Sequence, residues 1–303
     1  MANNINTKRI IQEVWPRALA DYQPKHPRFA KELSGPAGSV RIGRMEVGGI
    51  AATLADNATS ASAVDLASFE ATFTTAKKYI KHTVPTHVLA NDTAFGDALA
   101  QLAGKVVANI DKDVFDVLAG LFAANHPRVG AGVGQVGSGK YYLDTGLKGL
   151  QGEGGEFTYA TKIATDFGET GLDSAFQLLR GLKDDRGVPL NLGMQGDLVL
   201  VVNPADLKLA HEVTKSVLSG ADNASNFYLG MVSDIVDYAF TDTDSWFLVA
   251  RNSSPLGYYM SEAPMVEVRE SDDGLFTHMV ATYTGCPVYS PYDYGLVGST
   301  GAG

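Results

Sequence analysis

The sequence predicts a fold of the α+β class, in which one long helix is combined with separate groups of strands. Three observations carry this prediction. Residues 91–124 repeat apolar side chains at the spacing of one helical face. Leu198–Val202 is an unbroken apolar run of strand length. Residues 265–283 have the pattern of two strands around the turn Asp272-Asp273-Gly274.

The long helix is predicted to run from Asn91 to Ala124. Its apolar face comprises Phe95, Leu99, Leu102, Val106, Ile110, Val114, Val117 and Leu121. Asn91 or Asp92 can cap it, because a short side-chain oxygen satisfies free backbone N–H groups of the first turn. His126-Pro127 predicts its end, because proline cannot continue the helical hydrogen bonds. Such a helix would be about 50 Å long, so we expect it to lie across a broad, flat body.

The composition is that of an ordinary globular protein and excludes several functional classes. The 303 residues are 45% hydrophobic and 19% charged, and the net charge of -10 argues against a basic nucleic-acid binder. The single cysteine, Cys286, excludes an intramolecular disulfide framework and a cysteine-based zinc site, and its strand-like context predicts burial. No apolar run has the length of a signal peptide or a membrane span. We therefore expect synthesis in a cytoplasm-like compartment.

Residues 1–38 are predicted to form a basic N-terminal arm. Ile5–Leu19 has the pattern of a short amphipathic helix that ends at Trp15-Pro16, and the prolines that follow favour an extended chain. An arm of this kind packs on a neighbouring subunit or lies on the inner side of a body. The alternative is a partly disordered tail.

Residues 39–84 are predicted to form a long hairpin. A strand over residues 39–54 and a second over 69–84 flank a small, polar tip, Leu54–Ala67. The hairpin carries too few large apolar residues for a core of its own, and an isolated hairpin is marginal in water. We therefore expect it to lie against another subunit. The candidate contact residues of hairpin and arm are Ile50, Leu54, Val64, Leu66, Phe69, Phe73, Trp15 and Phe29.

The glycine-rich stretch Gly130–Lys140 resembles two nucleotide-binding motifs without matching either. Gly132, Gly134 and Gly137 have the spacing of a dinucleotide-binding turn, but no strand is predicted before them and no helix after them. A phosphate-binding P-loop requires Ser or Thr after its lysine, and Tyr141 follows Lys140. The favoured interpretation is a flexible loop between elements.

The second half of the chain is predicted to mix helices and strands. The expected elements are a helix over Thr170–Leu182, a strand over Leu198–Val202, a helix capped by Asn203 with Pro204 at its first position and running to Leu218, strands over Ile235–Phe240 and Trp246–Ala250, and a hairpin of Met265–Arg269 with Leu275–Tyr283. The glycine-rich end of the chain has no predicted structure.

No catalytic or metal-binding constellation is found in the sequence. The six histidines are scattered, with no pair at metal-ligand spacing, and the Gly-x-Ser-x-Gly nucleophile turn is absent. Asp242 and Asp244 begin like a calcium-binding loop, but Phe247 stands where that loop requires glycine. We therefore predict neither an enzyme nor a cofactor.

The order of elements resembles the Hong Kong 97-type major capsid protein of tailed bacteriophages. The order is a basic arm, a soft hairpin, Val84-Pro85, the long helix, a glycine loop, a strand-to-helix unit at Leu198–Leu207, and strands that end in Gly285-Cys286-Pro287-Val288. The stretch Leu200–Ala210 is similar to Mu-like major head subunits. The resemblance covers most of the chain as an order of elements.

The resemblance implies a domain plan and a function. The plan is an arm (1–38), an extension loop (39–84), a peripheral domain with the long "spine" helix (85–165), an axial domain (166–262), and C-terminal strands that return to the peripheral domain (263–303). The function is an icosahedral shell of pentamers and hexamers around double-stranded DNA, in the virion and assembled in the host cytoplasm. The implied partners are a separate scaffolding protein, a portal and a decoration protein. Gly96 and Gly104 depart from good helix composition and are expected to permit bending of the spine.

Two alternatives stay open. One is an encapsulin-type shell, which resembles the same family and holds a protein cargo. The other is a nucleotide-binding enzyme that uses the Gly130–Lys140 loop. Some family members link subunits covalently through a lysine of the extension loop, but no lysine lies between Met45 and Ala76. We therefore expect a shell held by non-covalent contacts.

Overall fold

A computed structural model describes residues 3–46, 67–87, 92–131, 135–151, 155–183, 189–193, 196–216, 228–253 and 255–301. The helices of this part are α1 (Asn3–Asp21), α2 (Asp92–Gly120), α3 (Glu169–Gly181) and α4 (Leu207–Lys215). The strands are β1 (Lys31–Ser34), β2 (Ser39–Glu46), β3 (Ala67–Thr74), β4 (Ala76–Pro85), β5 (Leu147–Gln151), β6 (Gly155–Tyr159), β7 (Lys162–Ile163), β8 (Leu198–Val202), β9 (Val232–Asp237), β10 (Trp246–Ala250), β11 (Leu256–Glu270), β12 (Phe276–Tyr289) and β13 (Leu296–Ser299). The prediction of an α+β fold is confirmed.

A four-stranded sheet with the order β1-β11-β12-β4 lies against the long helix α2. One face of this sheet is buried. On β12, Met279, Ala281 and Tyr283 alternate inwards and share a core with Leu102 and Val106 of α2. The opposite face is exposed or half-buried at the hairpin end, from Met265 to Thr282, as expected for strands that alternate between core and solvent. At the other end, Cys286 and Val288 of β12 are buried against Val40 of β2.

A five-stranded sheet with the order β7-β13-β10-β8-β9 is covered on both faces. Val199 and Val201 of β8 face the core that contains α2, whereas Leu198, Leu200 and Val202 face a second core with α3 and α4. This double burial explains the unbroken apolar run that predicted the strand. Since the first core contains residues of α2 and of both sheets, the long helix is their common wall.

The long helix is shorter at its C-terminus than predicted. It spans 29 residues, or about 43 Å, and ends at Gly120 instead of Ala124. The N–H groups of Ala123 and Ala124 both donate to the Gly120 carbonyl, at 3.0 and 2.9 Å, so a turn closes the helix before His126 is reached. The predicted cap Asn91 lies outside the described residues.

Gly104 has a packing role that the sequence did not predict. A Cβ atom built at Gly104 would lie 2.8 Å from ring atoms of Tyr22, so the missing side chain lets the arm lie close to α2. A Cβ atom at Gly96 would meet nothing within 4 Å. Only one of the two glycines is therefore explained by a close contact.

The N-terminal arm packs on its own chain. The prediction that its helix ends at Trp15-Pro16 is wrong, because α1 continues through Pro16 to Asp21. Trp15 and Ala18 are buried in the core beside α2, and the Trp15 indole Nε1 donates to the carbonyl of Pro264 at 3.0 Å. These contacts stabilise α1 on both sides of Pro16, a residue type that is unfavourable inside a helix.

Charged contacts fasten the arm to the long helix and to the five-stranded sheet. The His26 ring nitrogen Nδ1 lies 2.7 Å from Asp111 Oδ1 on α2, and the Lys25 ammonium lies 2.9 Å from Asp237 Oδ1 at the end of β9. Burial alone would raise the pKa of Asp111, but hydrogen bonds from His26 and from the Lys25 and His26 backbone outweigh it and lower that pKa. The hydrogen bond from Lys25 lowers the pKa of Asp237. Both carboxylates are thus stabilised in their charged form.

The predicted strand over residues 69–84 is two strands in different sheets. β3 pairs with β2, and β4 pairs with β12. The break falls at Thr75, whose N–H donates to the Gly38 carbonyl at 3.0 Å while its hydroxyl oxygen accepts from the Gly38 N–H at 2.8 Å. Strands β2 and β3 therefore form the described part of the extension arm (Ser39–Thr74), whereas β4 belongs to the four-stranded sheet.

The end of the chain is ordered, contrary to the prediction. Leu296–Ser299 forms β13, which lies between β7 and β10 in the five-stranded sheet. A Cβ atom at Gly298 would lie 2.9 Å from side-chain atoms of Leu143, Phe122 and Phe247, so this glycine is needed for close packing. The assignment of residues 263–303 to the peripheral domain stays a prediction.

Strands β9 and β10 follow each other along the chain but do not pair, because β8 lies between them. The helix predicted to run to Leu218 ends at Lys215, because the backbone of Ser216 is extended. The strand predicted over Ile235–Phe240 lies three residues earlier, at Val232–Asp237. α3 lies within one residue of its predicted bounds. The Asn203 side chain accepts from the Ala205 N–H at 3.3 Å and caps the short 3-10 turn Pro204–Asp206 that leads into α4. The β11–β12 hairpin is longer than predicted, and Cys286 is buried within it.

Candidate assembly surface

The root of the extension arm is anchored on the body of its own chain. The Phe73 ring packs edge-on against Tyr289 at 4.8 Å between centroids, and the Phe69 ring packs edge-on against Tyr292 at 6.2 Å. Val40 of β2 is buried in a small core with Tyr259, Cys286 and Val288. These contacts fix where the arm leaves the body, while residues 47–66 of its tip lie outside the described residues.

The predicted contact residues fall into three groups in the structure. Trp15 and Phe29 are buried in the core beside α2, where a neighbouring subunit could not reach them. Phe69 and Phe73 contact the C-terminal segment of their own chain. The other four, Ile50, Leu54, Val64 and Leu66, lie outside the described residues.

A buried polar cluster lies beside the root of the extension arm. The Arg128 guanidinium lies fully buried, 3.3 Å from Asp293 Oδ1 and 3.0 Å from the Tyr159 hydroxyl, which also donates to Asp293 Oδ1 at 3.0 Å. The guanidinium carbon lies over the rings of Tyr292, at 4.5 Å, and Phe69, at 5.9 Å. The cluster therefore joins the loop after α2, strand β6, the C-terminal segment and the arm.

The electrostatics of the cluster favour a buried ion pair. Burial alone would raise the pKa of Asp293, but His126 and Arg128 outweigh it and lower that pKa, so the carboxylate is charged at neutral pH. The His126 Nδ1 accepts from the Arg128 backbone N–H at 3.0 Å, which directs Nε2 towards Asp293 Oδ1 at 3.5 Å. Burial also raises the pKa of the neighbouring Tyr142 well above its ordinary value. This arrangement suits a structural joint.

The open face of the four-stranded sheet exposes large apolar side chains. Tyr79 on β4 is 73% exposed and Met265 on β11 is 59% exposed, and both pair with Thr282 of β12 in one row across the sheet. At the tip of the β11–β12 hairpin, Leu275 is 63% and Phe276 is 42% exposed. We call Tyr79, Met265, Leu275 and Phe276 the assembly face. These four exposed apolar side chains are the candidates for contact with another subunit.

Sequence reasoning missed both the assembly face and the buried cluster. The strand pattern of β4 held a signal for the first, since Tyr79 alternates with Lys77 and Lys81 on the side that faces solvent. For the second the sequence held no signal, because Arg128 and Asp293 are separated by 165 residues.

Backbone hydrogen bonds close the base of the glycine-rich loop. Gly130 and Gly137 form an antiparallel bridge, and the Val136 N–H donates to the Arg128 carbonyl at 2.9 Å; residues 132–134 lie outside the described residues. The Lys140 ammonium donates to the Thr145 carbonyl at 2.6 Å. The loop thus uses its lysine for its own structure.

In the described part of the chain, no group of three or more His, Cys, Asp or Glu side chains is placed to hold a metal ion. None of its helices is both long enough and apolar enough to cross a membrane.

Comparison with known proteins identifies the family. A family model described as phage capsid protein matches residues 70–286, and no curated protein matches the chain. Among solved structures, the virus-like particle from Pyrococcus furiosus superposes with a TM-score of 0.56 at 10% identity and covers 96% of this chain and 98% of that chain. The mature capsid of bacteriophage PhiM1 gives 0.56 at 10% identity, over 92% and 87%. The bacteriophage JBD30 capsid gives 0.56 at 14% identity, over 72% and 91%.

These structures have Hong Kong 97-like capsid folds, so the predicted fold is confirmed. The Mu-like character of Leu200–Ala210 is not confirmed and stays an expectation. The family match spans more than half of the chain, and the fold of capsid subunits extends over nearly all of it. This protein therefore belongs to the phage capsid protein family, and it is a major capsid protein, a structural component of the virion shell.

Proposed function

We propose that pentamers and hexamers of this protein close an icosahedral shell around double-stranded DNA, with assembly in the host cytoplasm. The observation that carries the proposal is the contrast between the buried cores of the chain and its exposed apolar face. Two apolar cores are complete inside one subunit, whereas the assembly face stays open to solvent. Tyr79 is 73% exposed in the single subunit, whereas a subunit of a shell buries such a side chain at its interface.

The extension arm supplies the second contact. Its described root, β2 and β3, is a two-stranded ladder that holds on to the body only near Phe69, Phe73 and Val40. A two-stranded ladder is marginal in water. We propose that the tip, residues 54–67, lies over the long helix or the axial domain of an adjacent subunit.

The shell is proposed to be non-covalent. Burial raises the pKa of the Cys286 thiol, which disfavours the reactive thiolate and with it a disulfide mesh. The Lys78 ammonium is engaged with Asp113 at 2.5 Å, and the arm from Met45 to Ala76 holds no lysine. A denaturing gel of mature particles without reductant should show one band near 32.1 kDa. A ladder of covalent oligomers would contradict this arrangement.

A separate scaffolding protein, a portal and a decoration protein are the proposed partners. The encapsulin-type shell is the second candidate, and the similarity to the virus-like particle from Pyrococcus furiosus supports it. Nucleic acid content separates the two. Particles that contain nuclease-protected double-stranded DNA support the phage head, whereas DNA-free particles that hold protein cargo support the alternative.

The experiment that tests the proposal compares three proteins by sedimentation and electron microscopy. The wild-type chain should form large closed particles. A deletion of residues 54–67 should leave a folded subunit with an unchanged circular dichroism spectrum that fails to close shells. Lys140→Ala is the control, and it should assemble as the wild type does, because Lys140 contacts only its own loop in the structure. Normal shells from the deletion would refute the role of the tip, and ATP binding that is lost in Lys140→Ala would favour an enzyme.

A further inference from the structure

Two strands of the four-stranded sheet carry opposite charge. Residues 76–83, on β4, contain Lys77, Lys78 and Lys81 and no carboxylate. Residues 262–273, on β11 and its turn, contain the carboxylates Glu262, Glu267, Glu270, Asp272 and Asp273 and the single base Arg269. A chain with a net charge of -10 has thus concentrated positive charge on one strand and negative charge on another strand of the same sheet.

Both of these strands have an open edge among the described residues. β1 pairs with β11 only over Gly257–Met260, so no described strand covers the outer edge of β11 beyond Met260. β4 pairs with β12 on one side only. Backbone and side-chain groups of both edges are therefore available to a partner.

The opposite charges do not neutralise each other inside the subunit. Val280 of β12 stands between Lys81 and Glu267 in one row of the sheet. Strands are spaced by about 4.8 Å, so the two charged columns lie about 10 Å apart, which is about one Debye length in physiological salt. Lys78 is engaged with Asp113, and Glu267 with Arg269, whereas Lys77 and Lys81 are exposed on the open face.

Lysine on an edge strand has a second explanation, which is protection against edge-to-edge aggregation. Charge on both open edges fits that explanation, but it does not predict that the two edges carry opposite signs. Nor does it explain why a large exposed apolar side chain lies within each charged column, Tyr79 between Lys77 and Lys81 on β4 and Met265 between Glu262 and Glu267 on β11. An apolar centre between charged margins is the composition of a protein–protein interface.

We infer that the basic strand β4 of one copy of this chain meets the acidic strand β11 of the next copy, with Tyr79 and Met265 at the apolar centre of the contact. The occupant of this surface is therefore a second copy of the same chain. Because the two matching patches are different surfaces, the contact is heterologous and can be repeated around a ring. The inference rests on the proposed shell and adds which surfaces join its subunits.

Charge reversal tests the inference in the full-length chain. Glu262 and Glu267 lie in the same rows of the sheet as Lys77 and Lys81. Lys77→Glu/Lys81→Glu and Glu262→Lys/Glu267→Lys each place like charges opposite each other, so each variant should lose sedimenting particles while its circular dichroism spectrum stays unchanged. The combination of all four substitutions restores opposite charges and should restore particles. The control is Lys208→Glu/Glu212→Lys, which reverses an exposed pair on α4 and should assemble normally.

The outcomes separate this inference from the proposed function. If the wild-type chain forms shells and both reversed variants also form them, the inference is overturned and the shell stands. If both variants fail and their combination also fails, the two strands are not partners and the inference is again overturned. A wild-type chain that never forms particles refutes the proposed shell itself. Raising the salt concentration should weaken wild-type assembly in the same direction as the single reversals.

Discussion

The two large sheets of this protein pack on the same long helix but differ in solvent exposure. In the five-stranded sheet, β8 and β10 are buried on both faces, one against α2 and the other against α3 and α4. In the four-stranded sheet, α2 covers one face, whereas the other is open at its hairpin end and covered by β2 only near Cys286 and Val288. The comparison indicates that the first sheet stabilises the subunit, whereas the second leaves a surface exposed for contact with neighbouring subunits.

Two aromatic truncations give the largest expected contrast. Phe247 of β10 is fully buried, so Phe247→Ala should lower the free energy of unfolding by about 3–5 kcal/mol. Tyr79→Ala, on the open face, should change it by less than about 0.5 kcal/mol and should instead weaken assembly. Urea unfolding of dissociated subunits measures both. Equal destabilisation by the two substitutions would remove the distinction between the sheets.

The buried cluster should respond to the loss of one charge. Asp293→Asn leaves the fully buried Arg128 without its charged partner and should cost about 3 kcal/mol of unfolding free energy. Asp272→Asn at the exposed hairpin turn is the matched control and should have little effect. A near-neutral Asp293→Asn would show that the hydrogen bond from Tyr159 holds this joint without the ion pair.

Acid should loosen the contacts of the arm with the long helix and with the five-stranded sheet. The pKa values of Asp111 and Asp237 are lowered in the folded state, so their contribution to stability is complete above the ordinary carboxyl pKa of 3.8 and is lost as the pH falls through the lowered values. Hydrogen exchange of residues 22–30 should therefore accelerate as the pH falls below about 4, after correction for the intrinsic pH dependence. In Asp111→Asn this segment should exchange faster already at neutral pH. Equal protection in both proteins would exclude a role of Asp111 in holding the arm.

The two glycines of α2 give the smallest effect. Gly96→Ala removes a poor helix former next to open space and should stabilise by about 0.5–1 kcal/mol. Gly104→Ala should gain less or destabilise, because its new methyl group would press on the Tyr22 ring. The double variant Gly104→Ala/Tyr22→Ala should recover part of the helix gain. Identical stabilisation at both glycines would show that Tyr22 yields without cost.

Local patterns predicted the elements, and long-range contacts decided where they lie. Three elements were placed from their own residues: α2 by its periodicity, β8 by its apolar run, and the β11–β12 hairpin by the turn at Asp272–Gly274. Each of these patterns depends only on residues within or next to the element. The break at Thr75 was hidden, since it depends on hydrogen bonds to Gly38. β13 was missed because the glycines around it look like a loop in sequence, whereas Gly298 is required by packing.

The assembly face escaped prediction for a related reason. Tyr79 has the strand propensity of a core residue, and although Lys77 and Lys81 share its strand face, the register of β4 against β12 is needed to show that this face points away from α2. The hairpin candidates Phe69 and Phe73 were large and apolar, but their partners Tyr292 and Tyr289 lie more than two hundred residues further along the chain. Size and hydrophobicity alone therefore did not distinguish an interface residue from a residue that anchors the arm.

Hydroxyl-radical footprinting of dissociated subunits and assembled particles tests the division between the two sheets most directly. Tyr79 and Met265 are reactive side chains on the open face, whereas Tyr283 and Met279 are buried on the opposite face of the same sheet and serve as matched controls. We predict that oxidation of Tyr79 and Met265 falls on assembly while that of Tyr283 and Met279 stays low in both states. Equal oxidation of Tyr79 and Met265 in subunits and particles would show that shells are built through another surface.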